Sequence, residues 1–163
     1  MVSRAAAVLA LLGVGAVVAA SGCVSHGPYA LTVVAPGKVT VVSGPGGTLV
    51  FGPQSVDRSV HVTMLPVDPA GISLGDGCGL RNPVIRGALR FEVVEHVAVR
   101  EVQARADVAG GSPGDLLYVY YEPPQGGGYV NAGSYAVVSA DGRAAEFSEV
   151  DAEGTWLFVQ PGG

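Results

Sequence analysis

Leu116-Leu-Tyr-Val-Tyr-Tyr-Glu122, followed by Pro123 to Gly128 and then by Tyr129 to Ser139, is the stretch that decides the fold. Leu, Val and Tyr in an unbroken run fit a pleated, half-buried surface far better than a helix. Successive side chains of a strand point to opposite faces, so Leu117, Val119 and Tyr121 share one face while Tyr118 and Tyr120 share the other. Pro123 to Gly128 then reads as a turn, and Tyr129 to Ser139 as the returning strand. Asp141-Gly142 follows, the dipeptide that most strongly signals a tight hairpin. Arg143 to Val150 is its partner strand, and Thr155 to Gln160 is one more beyond the break at Gly154.

Upstream the same grammar recurs. Leu31 to Ala35, Val39 to Ser43 and Thr48 to Phe51 are Val-rich runs separated by Pro36-Gly37 and by Gly44-Pro-Gly-Gly47. Ser59 to Leu65 alternates, with Val60, Val62 and Met64 on one face and His61, Thr63 and Leu65 on the other. Ala88 to Val94 and Ala98 to Ala106 read as strands. A helix from Glu92 to Ala106 is the competitor, since Glu, Gln, Arg and Ala all form helices well. The valines at 93, 94, 97, 99 and 102 favour strand. Asp68 to Pro83 is the one long connection, of a length at which ordered loops tend to be functional. The pattern predicts an all-β protein, an antiparallel β-sandwich of about eight to nine strands. Glycine and proline, 25 and 11 of 163 residues, stay below the roughly 25–30% that marks a disordered chain.

The N-terminus carries a different message. Met1-Val-Ser-Arg4 supplies one positive charge, Ala5 to Ala20 none, and Ala20-Ser-Gly-Cys23 ends the run. A basic n-region, an apolar h-region and small residues at the boundary make a secretory signal peptide. The run is shorter than the roughly 20 apolar residues of a membrane span, and rich in Ala and Gly. With a cysteine directly after it, the leader resembles the lipobox of bacterial lipoproteins, apart from Ala20 where Leu is commoner. That resemblance implies cleavage before Cys23 and acylation of Cys23, with palmitate-type chains anchoring the protein in the bilayer. It divides the chain into a leader (1–22), a lipidated tether (23–29) and a single β domain (30–163). Val24 and Ser25 lack the Asp associated with inner-membrane retention, so in a cell with two membranes the resemblance favours the outer one.

A second resemblance covers Lys38 to Gln160. Gly46-Gly-Thr-Leu49 before the strand at Ser59, then Leu116 to Tyr121, Tyr129, Ala145-Glu-Phe-Ser148 and Thr155-Trp-Leu-Phe158 follow one another in an order similar to ZU5-type β-sandwich modules. The Pro-Pro-Gly-Ala segment usual in that family is absent, and Glu146 stands where a histidine before Phe-Ser is common. The resemblance implies a structural or interaction module of envelope proteins and carries no catalytic residue.

Chemistry is sparse. Without Arg4, eight basic side chains face fourteen acidic ones, a balance that disfavours nucleic acid, which needs cationic surface to displace counterions. No metal or cofactor is expected: Cys78, His61 and His96 lack ligand-pair spacing, and Asp68 and Asp76 match no calcium loop. His26 belongs to the tether. A cysteine-dependent hydrolase would need Cys78 with His61 or His96 as base, and no local motif supports it. Glu146 and Glu149, or Asp151 and Glu153, read as a solvated acidic edge.

The aromatics are the best lead. The aliphatic face of Leu116 to Tyr121 is the natural core face, which sends Tyr118 and Tyr120 toward solvent beside Tyr129, Tyr135 or Trp156. Tyr118, Tyr120, Tyr129 and Trp156 are therefore the candidate binding residues, suited to a protein partner or to the sugar rings of cell-wall glycan. The competing reading is cross-strand pairing that merely stabilises the sheet. The function expected from the sequence is a membrane-anchored, non-catalytic binding or structural module, with another envelope protein or a glycan as partner.

Overall fold

The computed structural model describes residues 29–75 and 78–162. The leader, Cys23, His26 and Asp76 lie outside the described residues. The rest forms ten strands and one turn of 3-10 helix at Pro69–Gly71. The strands are β1 (Thr32–Val34), β2 (Thr40–Gly44), β3 (Gly47–Phe51), β4 (Val60–Leu65), β5 (Val84–Val93), β6 (Val102–Asp107), β7 (Leu116–Glu122), β8 (Val130–Val138), β9 (Ala144–Val150) and β10 (Gly154–Gln160). All pair antiparallel, in the spatial order β1-β4-β5-β10-β7-β8-β9-β6-β3-β2. The all-β, antiparallel expectation holds. The count is ten, above the eight to nine expected.

The sheet rolls until its two halves face each other, nearly closing like a barrel. Phe51 on β3 meets Phe91 on β5 edge to face, ring centroids 6.3 Å apart, although the two strands are distant in the order. The main core lies between the halves: Leu49 and Phe51, Val60, Val62 and Met64, Leu89 and Phe91, Leu117 and Val119, Phe147, Trp156 and Phe158 are all buried in it. The alternation read for Ser59 to Leu65 and for Leu116 to Tyr121 assigns these faces correctly. Two glycines allow the halves to close. Gly46, at φ +82° in the β2–β3 turn, sits where a Cβ would come within 2.4 Å of the Ala88 carbonyl oxygen. Gly87 on β5 would place a Cβ equally close to the Asp107 carbonyl oxygen.

The segment expected as a strand over Ala98 to Ala106 is a strand only from Val102. Before it the backbone turns through positive φ at His96 (47°) and Glu101 (52°). The Arg100 N–H bonds the Ser55 carbonyl at 3.0 Å rather than a neighbouring strand. Val99 is buried from this loop, so its hydrophobicity reflects core filling and not strand pairing.

β10 is buried along nearly its whole length, on both faces. Trp156 and Phe158 enter the main core. Leu157 and Val159 enter a second, smaller core with Ala88 and Tyr120, whose outer wall is the long connection: Val67, Ile72, Leu74, Cys78 and Leu80 pack down on it.

Candidate functional site

That second core changes the tyrosine face. Tyr118 and Tyr120 do share a face opposite Leu117 and Val119, but the Pro66–Pro83 connection lies over it. Tyr120 is only 1% exposed. Its hydroxyl donates to the Cys78 carbonyl at 2.5 Å, and burial pushes the phenol above its ordinary pKa. Burying the ring against Leu157 and Val159 stabilises the fold more than solvent exposure would, and the Cys78 carbonyl satisfies the one polar atom.

Trp156 departs further from expectation. It projects from the opposite face of β10, is 3% exposed, and donates its indole N–H to the Ala152 carbonyl at 3.2 Å. Its ring lies 4.6 Å from Tyr121 and 5.7 Å from Phe147. It is a core residue. Tyr129 is half-buried at the rim of the second core, where burial and then the Glu122 carboxylate raise its pKa. The four predicted binding residues therefore do not form one surface: two are interior, on opposite faces.

What stays exposed is a row on the β7–β8 hairpin. Tyr118 pairs across the strands with Tyr135, and Leu116 with Val137. The tyrosine rings sit 4.9 Å apart at 60° to each other. Leu116 is 57% exposed, Tyr135 51% and Val137 46%. The row continues the second core past the edge of the loop that covers it. Next to Val137 on β9 comes Glu146, which bonds Arg105 at 3.3 Å, and Arg105 also reaches Asp141. The sequence carries Leu116, Tyr135 and Val137 plainly. Their adjacency required the β7–β8 register.

Cys78 is half-buried and its thiol points at the Leu80 carbonyl, 3.8 Å away. The two described histidines have carboxylates as partners. His61 Nδ1 lies 2.7 Å from Glu95, whose other oxygen accepts the His61 backbone N–H at 2.8 Å. His96 Nδ1 lies 2.9 Å from Glu153, whose other oxygen accepts the Val93 N–H at 2.7 Å. The His61 hydrogen bond holds the Glu95 carboxyl below its ordinary range, and the Glu153 bond raises the His96 imidazole. Both pairs tie the start of the β5–β6 connection to β4 and to the start of β10.

Among the described residues no cluster of His, Cys, Asp and Glu can hold a metal ion. No helix there is long and apolar enough to cross a membrane. No family model, curated protein or solved structure matches the chain.

Proposed function

We propose that this protein is an envelope lipoprotein, anchored by acyl chains on Cys23, whose β fold is a non-catalytic module that binds another envelope protein. The observation that carries the reading is the row in which exposed Leu116, Tyr135 and Val137 flank a half-buried Tyr118. An apolar centre with aromatics, bordered by the Arg105–Glu146 and Arg105–Asp141 pairs, has the anatomy of a protein interface. Tyrosine offers a large contact area at low entropic cost. Glycan stacking is the weaker reading of the same row, since a sugar face needs a flat platform and these rings stand at 60° to one another. The order of segments similar to ZU5-type modules supports an interaction role as well.

Crosslinked capture of the lipidated protein from native membranes tests the reading. A stoichiometric protein partner is expected for the wild type, and its loss for Leu116→Ser with Tyr135→Ala, with the circular dichroism unchanged. Capture that survives these substitutions, or retention on cell-wall polysaccharide that they abolish, overturns the protein-interface reading. For the anchor, Cys23→Ala is expected to release the protein from the membrane fraction.

A further inference from the structure

A separate feature lies one strand further on. β8 and β9 are neighbours in the sheet, yet their ladder runs through two residue pairs only among the described residues, Val137↔Glu146 and Val138↔Ala145. Continued in register, Ser134 would pair with Glu149. There a hydrogen bond from the Ser134 hydroxyl to the Glu149 carboxylate spans the strands instead. The cause lies in β8. Its register against β7 shifts between Tyr118 and Tyr120, Gly133 has φ +76°, and the Asn131 side-chain oxygen accepts the Gly133 N–H at 2.7 Å. This irregularity bends the first half of β8 away from β9, as bulges do.

The strands part around a groove of about 720 Å³. Tyr121, Phe147 and Trp156 form its floor, and Glu101, Glu149 and Asp151 its acidic rim; no Lys, Arg or His lines it. Burial, and then the charges of Asp151 and Glu153, raise the Tyr121 hydroxyl pKa, in keeping with a negative potential at the floor. The opening is within the size range of ligand sites.

We propose that the β8–β9 gap is a binding site for an extended basic peptide segment, which displaces the Ser134–Glu149 hydrogen bond and adds to the β9 edge beyond Glu146 as a strand. Strand edges without partners template main-chain pairing. Three carboxylates with no cation among the lining residues select Lys or Arg side chains, and the half-buried Tyr121 ring, lying over the core residues Trp156 and Phe147, takes their stems. A neutral sugar would use the floor but leave the rim carboxylates uncompensated. A small amine would leave the strand edge unused. The proposal stands on observations separate from the β7–β8 row.

The test is fluorescence anisotropy on the full chain in detergent, with a labelled short peptide alternating lysine and valine. Binding that weakens with salt is expected. Glu149→Gln with Asp151→Asn should weaken it by about tenfold, equivalent to about 1.4 kcal/mol. Ala132→Trp, which fills the groove from an exposed position, should abolish binding with the melting temperature unchanged. Peptide with alternate amides N-methylated should not bind. Leu116→Ser with Tyr135→Ala should bind normally, which separates this site from the β7–β8 surface. Equal binding of a glutamate–valine peptide or of the N-methylated peptide overturns the proposal, as does indifference to the groove variants. Self-association that Ala132→Trp removes, without peptide binding, also overturns it and makes a second copy the occupant.

Discussion

β10 separates two cores that differ in how they are made. On one side Trp156 and Phe158 meet side chains from strands whose backbones are fixed by ladders. On the other, Leu157 and Val159 meet an irregular connection that carries one turn of 3-10 helix. That connection is held by its buried side chains and by scattered hydrogen bonds: Gly162 N–H to the Arg81 carbonyl at 3.1 Å, Asp68 Oδ1 from the Ala70 N–H at 3.0 Å, and the Tyr120 hydroxyl. The β10 side chains are buried on both sides, but cooperativity differs. A wall of laddered strands opens only with the whole sheet, whereas a loop can lift by itself.

The comparison is broken most directly by truncating each side in turn. Phe158→Ala should cost about 3–5 kcal/mol, because the laddered strands cannot collapse into the cavity; urea denaturation reads it as a global loss. Leu157→Ala, one residue earlier, should cost about 2 kcal/mol, near the low end for such truncations, since the loop can settle. Equal losses would show that the loop is as rigid as the sheet. Tyr120→Phe sharpens the contrast further. Removing the bond to the Cys78 carbonyl should cost about 1 kcal/mol, localised to the connection. Amide exchange over residues 67–80 and alkylation of Cys78 should quicken, while exchange in β10 stays unchanged.

The smallest effect belongs to neither core but to the polar ties at the β5–β6 connection. The raised His96 pKa means that its bond to Glu153 contributes stability below the ordinary histidine pKa, and that this is lost as pH rises through the raised value. Glu95 has the opposite sign: its contribution is present above the ordinary glutamate pKa and is lost as pH falls through the depressed one. Side-chain NMR titration of Glu153→Gln should return His96 toward its ordinary value, with little change in the midpoint of unfolding, since the imidazole itself lies in solvent. An unmoved His96 would dissociate the shift from Glu153.

Much of this is legible in the sequence, and particular residues show why. The alternation of Val60, Val62 and Met64, and of Leu117 and Val119, placed the main core correctly because strand periodicity is a property of the local backbone. The same periodicity paired Tyr118 with Tyr120. It could not say that Val67, Ile72 and Leu74 would cover Tyr120, since that contact joins segments some fifty residues apart. The chemistry of Trp156 suits a binding face, but an apolar run such as Trp156 to Val159 signals burial on both faces, and that signal outweighs the ring's amphipathic character. The β8–β9 gap left one trace, Gly133 within a strand, which marks bulges in general.

The sequence by itself determined that the chain is all-β, where most of its turns fall, and which side chains share a face, because each of these depends on residues within a few positions of one another. The tertiary structure alone decided that the outer face of β7 and β10 is covered by the long connection. Which loop covers a face, and where neighbouring strands part, depend on the roll of the sheet, and that roll is fixed by burial summed over both halves of the chain.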